Sequence, residues 1–86
     1  MHKFNIENAH YENGYKIFLN FDDGLKGVVD LKDFLFDANC GVFKRLQDEK
    51  QFKNFNVEEK TLVWGEDLDL APEFLHELLL KQNKLK

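Results

Sequence analysis

Cysteine occurs once in this chain, at Cys40. A single thiol excludes an intramolecular disulfide framework and fits a reducing compartment, so the expected location is the cytoplasm. No apolar run approaches the roughly 18–20 residues of a membrane-spanning helix, so no membrane partner is expected. The N-terminus, MHKFNIENAHYENG, lacks the apolar stretch and small-residue cleavage site of a signal peptide. There is no Gly-rich phosphate loop, no zinc-ligand spacing and no pair of carboxylates with a positioned base. No cofactor or metal is therefore expected, and an enzyme is the last of the functional classes to consider.

Aromatic side chains are plentiful: nine Phe, two Tyr and one Trp in 86 residues. Each buries on the order of 150–250 Å² when packed, so one compact aromatic core is feasible in a chain this short. A second core has no room, and the whole chain, 1–86, reads as a single domain. Charge is unevenly spread along it. Residues 61–80 carry Glu66, Asp67, Asp69, Glu73 and Glu77 with no Lys or Arg, whereas residues 43–54 are locally positive, with Lys44, Arg45, Lys50 and Lys53 against Asp48 and Glu49. A nucleic-acid binder usually shows a broad basic face; this is only a patch, so nucleic acid is disfavoured as a partner.

Taken in order, His2–Tyr11 reads as a strand with an irregularity near Asn8. Asn13-Gly14 signals a tight hairpin of type I′, which needs positive φ at both central residues. Tyr15, Ile17, Leu19 and Phe21 alternate strictly, and after the Asp22-Asp23-Gly24 turn so do Leu25, Gly27, Val29 and Leu31. These segments predict an antiparallel meander. Lys32–Phe36 and Val42–Leu46 read as short helical turns around an Asp37–Gly41 loop, with Asp30 available to cap the first. Asp48 is placed to cap Glu49–Phe55, putting Phe52 and Phe55 on one face.

The stretch Thr61–Leu75 changes period, from strand alternation at Leu62 and Trp64, through a short Leu68/Leu70 strand, to a helix opening at Pro72. Phe74, Leu75, Leu78, Leu79 and Gln82 form its apolar stripe, with Asp69 a candidate to reach its free amides. The fold class expected is α+β: an antiparallel β-meander with additional strands, four or five in one sheet, and a C-terminal amphipathic helix packed on it. Trp64 is expected in the core beneath that helix.

Phe21-Asp22-Asp23-Gly24, Val29-Asp30-Leu31, Phe43 with Leu46, Phe52, and Leu62-x-Trp64-Gly65-x-Asp67-Leu68-x-Leu70-x-Pro72-Glu73-x-Leu75 together resemble a small bacterial family, domain of unknown function 2442. The resemblance implies an α+β fold with no established catalytic residues. Some relatives carry a following helix-turn-helix domain, which this chain is expected to lack, and others lie beside toxin-like genes. Glu66 is the departure, in the turn after Trp64, where relatives often show Gly-x-Asp following a small or amide residue.

Candidate sites follow from what the core cannot absorb. Glu66, Asp67, Asp69 and Glu73 admit a cation site, but the calcium-loop pattern is missing and turn and capping roles are preferred. Cys40 lacks a nucleophile signature, and neither His10 nor His76 has an evident orienting partner. Phe18, Phe34 and Phe36 fall where a single core does not reach; with Lys44, Arg45, Lys50 and Lys53 they make up the candidate interaction surface. The expected function is a protein-interaction module whose partner is a second copy, a dimer, or a neighbouring toxin-like protein. A transcriptional regulator acting through the basic patch is the alternative.

Overall fold

The computed structural model describes residues 4–84. It is an α+β fold of two small antiparallel sheets, three strands each, and a C-terminal helix. Strands β1 (Ile6–Asn13), β2 (Lys16–Phe21) and β3 (Lys26–Asp30) form the first sheet in chain order. Period-two alternation does its expected work in β2, where Ile17, Leu19 and Phe21 are buried. A register shift between Ile6 and Asn8 moves Ile6, Ala9 and Tyr11 onto the same inward side. The irregularity expected near Asn8 is thus the device that keeps β1 in contact with the core.

The first hairpin differs from expectation. Gly14 has φ +51°, but Asn13 is not in the left-handed region and pairs with Lys16 across the strands. The tip is therefore Gly14-Tyr15 and not a type I′ Asn13-Gly14 turn. The slip, which shifts the register between Tyr11 and Asn13, frees Tyr15 to lay its ring edge-on against Phe52 at 5.4 Å.

Residues 31–54 form a helical lobe: α1 (Lys32–Leu35), a 3₁₀ segment Gly41–Gln47 and α2 (Glu49–Phe52). Asp30, one residue before the N-cap Leu31, accepts from the Lys32 amide of α1 at 2.9 Å and so supports the helix start as expected. Asp48 caps α2 through the Lys50 amide at 3.0 Å. That helix stops at Phe52, so Phe55 opens a strand and does not share a helical face with Phe52.

The second sheet contains β4 (Phe55–Glu58), β5 (Thr61–Trp64) and β6 (Leu68–Leu70). A single sheet of four or five strands is thus replaced by two sheets. The lobe stands between them in sequence, and one backbone bond, Ile6 N–H to the Lys60 carbonyl at 2.9 Å, links β1 to the β4–β5 turn. Both sheets contribute to one buried cluster containing Ile17, Leu19 and Val29 from the first and Leu62, Trp64 and Leu70 from the second. Trp64 is buried as expected, its Nε1–H donating to the Phe52 carbonyl at 2.7 Å.

Helix α3 (Pro72–Lys84) lies against the inner side of β3, with Leu75 and Leu79 fully buried. Gly27 permits the approach: a Cβ there would stand 3.2 Å from Leu79 Cδ1. The Gln82 amide grips Asp30 twice, accepting from its N–H and donating to its carbonyl, both at 2.8 Å. Part of the β3 edge that a meander would leave open is closed by this side chain. Asp69, expected to cap α3, is exposed on β6 opposite Val63, and its carboxylate makes no hydrogen bond among the described residues. Among the described residues no helix is long and apolar enough to cross a membrane.

Glu59 and Lys60, at φ +51° and +68°, form the two-residue turn between β4 and β5. Left-handed backbone costs a side-chain-bearing residue roughly 1–2 kcal/mol, which glycine avoids. Lys60→Gly should therefore raise stability by about 1 kcal/mol, read as a higher urea midpoint at unchanged slope. A lowered midpoint would show that the Lys60 side chain contributes more than its backbone costs.

Candidate interaction surface

The helical lobe is assembled by short-range capping and a few long-range ties. Asp37 accepts from the Asn39 amide at 2.8 Å, fixing the loop before the 3₁₀ segment. Gln47 donates through Nε2 to the Leu35 carbonyl at 2.8 Å, satisfying the end of α1. Its own carbonyl accepts from the Tyr15 hydroxyl, so the lobe is fastened to the first hairpin. Burial, and secondarily the Glu49 carboxylate, raises the pKa values of both Tyr11 and Tyr15 above the usual phenol value.

This anchoring leaves apolar groups outside. Phe36 packs one edge on Tyr15 at 5.3 Å yet remains 50% exposed, and Val42 is 73% exposed. Phe36, Cys40 and Lys44 border a surface cleft of about 370 Å³, closed on one side by Gln47. Phe34 is half-buried, tilted against Phe43 at 5.4 Å and Phe74 at 5.1 Å, so it roofs the junction between the lobe and α3. Phe18 lies elsewhere, on the outer face of β2 beside the His10 ring at 6.1 Å. The structure therefore brings Phe34 and Phe36 to one lobe with the basic residues and leaves Phe18 apart.

Lys44, Lys50 and Lys53 are exposed and engage in no ion pair among the described residues. Arg45 differs. Its guanidinium clasps the Asp67 carboxylate at 2.9 and 3.3 Å, fastening the 3₁₀ segment to the β5–β6 turn. That bond, more than simple proximity of charge, lowers the Asp67 pKa below the ordinary carboxylate range.

The acidic stretch 66–73 is divided among different tasks. Asp67 holds Arg45, Glu73 accepts from the Phe4 amide at 3.3 Å, and Glu66 and Asp69 border a second cleft of about 560 Å³ with Glu58 and Glu59. Cys40 borders only the lobe, while His10 and His76 stand on β1 and α3.

His76 corrects an expectation: it does have an orienting partner. Its Nε2 lies 2.8 Å from Asp23 Oδ2, and its buried ring is stacked under Phe4 at 3.7 Å and met edge-on by Phe21 at 4.9 Å. The partners are 53 residues apart in sequence, so no local motif announces them; the Asp-Asp-Gly turn looks complete without His76. The neighbouring Asp22 receives both the Asn5 amide at 3.3 Å and the Asn5 side-chain amide at 2.8 Å. This turn consequently ties the start of β1, the first sheet and α3 together.

The Leu25 amide and then His76 lower the Asp23 pKa. A carboxyl whose folded pKa is depressed contributes stability above its unfolded value of about 3.9, and that contribution is lost as pH falls through the folded pKa. Asp23 and Asp67 should thus stay ionised below about pH 3.9 in a carboxyl-carbon NMR titration. Asp23→Asn should flatten the acid limb of the stability profile. An unchanged acid limb would show that these bonds do not persist in solution.

A search of curated proteins and a search of solved structures each returned no match. A family model, described as protein of unknown function DUF2442, matches residues 6–78. That span runs from the first residue of β1 into α3 and takes in the Asp22-Asp23-Gly24 hub, the lobe and both sheets. The chain belongs to this DUF2442 family.

Proposed function

We propose that this domain is a protein-interaction module, not an enzyme, and that its first partner is another copy of itself. The observation that carries the reading is the exposure of large apolar side chains on an otherwise ordered lobe: Phe36 at 50% and Val42 at 73%. Exposed apolar groups are usual at surfaces that become covered, and Phe36 also borders a cleft of about 370 Å³. Four of the turn and loop aspartates are occupied by architecture. Asp23, Asp30, Asp37 and Asp48 each accept the amide two residues onward, at 2.8–3.0 Å. The His76–Asp23 pair lies under Phe4, with no nucleophile among its contacts.

The resemblance to a family found beside toxin-like genes extends the same reading to a heterologous protein partner acting on the same lobe. A regulator binding nucleic acid through Lys44, Lys50 and Lys53 is the second reading, favoured by their lack of ion pairs among the described residues. Arg45 is withdrawn from that surface by Asp67, and a steep salt dependence of duplex retardation would be its signature.

Light scattering at tens of micromolar should give about twice the 10.2 kDa chain mass. Phe36→Ser with Val42→Ser should shift that mass toward the monomer. A wild-type chain that is monomeric throughout would remove self-association and leave only a foreign partner.

A further inference from the structure

We propose that two copies pair across one continuous face of opposite charges: the 3₁₀ segment and α2 on its basic side, the rim of the second sheet on its acidic side. The inference rests on the self-association proposed above and adds where the copies meet and by what chemistry.

The basic side presents Lys44, Lys50 and Lys53, all exposed and without an ion pair among the described residues. Of the carboxylates nearest them in sequence, Asp48 is held by the Lys50 amide as the cap of α2. On the acidic side, Glu58, Glu59, Glu66 and Asp69 surround a cleft of about 560 Å³ with Val63 in its wall, and no cationic side chain lines it. The lysines on one side and the carboxylates on the other thus enter no ion pair among the described residues.

The two halves adjoin. The Arg45–Asp67 pair is the seam between them, and Gly65, which borders the acidic cleft, would bring a Cβ within 3.9 Å of the Arg45 guanidinium. A second copy turned by a half-rotation about an axis through the seam sets each lysine group over the other copy's carboxylates, in both directions at once. Such a contact is isologous and closes at two copies.

Each exposed ion pair contributes little alone, but the twofold repeats every one, and the field of a whole patch steers encounter. The same arrangement disfavours nucleic acid, because Glu66 and Asp69 would repel phosphate brought to the neighbouring lysines.

The test is a charge exchange, read by sedimentation equilibrium. One variant carries Lys44→Glu with Lys50→Glu; the other carries Glu58→Lys with Glu66→Lys. All four positions are exposed, so circular dichroism should be unchanged. Wild type should dimerise, with a dissociation constant at least about tenfold weaker in ~0.5 M than in ~0.05 M salt. Each variant alone should be monomeric, its own halves now alike in sign. Mixed in equal amounts, the two variants should form a heterodimer, because both contacts then join opposite charges.

Variants that each dimerise like wild type would place the interface elsewhere and overturn this inference while sparing self-association. A wild type and a mixture that both remain monomeric would overturn both. Retardation of duplex DNA by a monomeric wild type would assign the lysines to nucleic acid and overturn it equally.

Discussion

Phe52 is where the two halves of the molecule are joined. It is fully buried at the end of α2. Its ring meets Tyr11 and Tyr15 of the first hairpin edge-on at 6.3 and 5.4 Å and lies tilted against Trp64 of the second sheet at 6.0 Å. Its carbonyl accepts the Trp64 indole N–H. Three short strands need a covered apolar face to persist in water. The aromatic joint and the Leu75 and Leu79 side chains of α3 supply that cover together, and the hydrogen bond removes the cost, roughly 1–3 kcal/mol, of an unpaired indole N–H in the core. On this account Trp64 has no freedom to serve as a binding residue.

The motifs that mark the family turn out to be fastenings. Phe21-Asp22-Asp23-Gly24 ties Asn5, Leu25 and His76 to one turn, and Asp30 supports the start of α1 while holding Gln82. Asp67 holds Arg45. These acids are thus committed within the chain, and the exposed apolar groups Phe36 and Val42 lie on the helical lobe instead. The division explains why strongly patterned segments say little about function: their patterning is architectural, and the surface that remains is built from single residues without a motif.

Much of the fold is legible where a residue's partner is a neighbour in sequence. Alternation over Tyr15–Phe21, the support of helix starts by Asp30 and Asp48, the Pro72 helix start and the burial of Trp64 all follow from local spacing. Alternation tells which residues share a face, but not which strands lie side by side, so the division into two sheets is invisible to it. The same holds for the contacts between Gln82 and Asp30 and between Arg45 and Asp67, which are 52 and 22 residues apart. At the candidate surface, Phe36 is legible as an aromatic the core does not take. Phe18 satisfies the same criterion yet sits on a different face, because parity ranks exposure and not position.

Native-state amide exchange tests the joint most directly. If Phe52 and Trp64 unite both sheets in one core, the slowest amides of β2 and of β5 should exchange with the same opening free energy, that of global unfolding. They should also shift together when Trp64 is replaced by Phe. A β5 set that exchanges from a separate opening of lower free energy, with β2 unaffected by the substitution, would contradict the account.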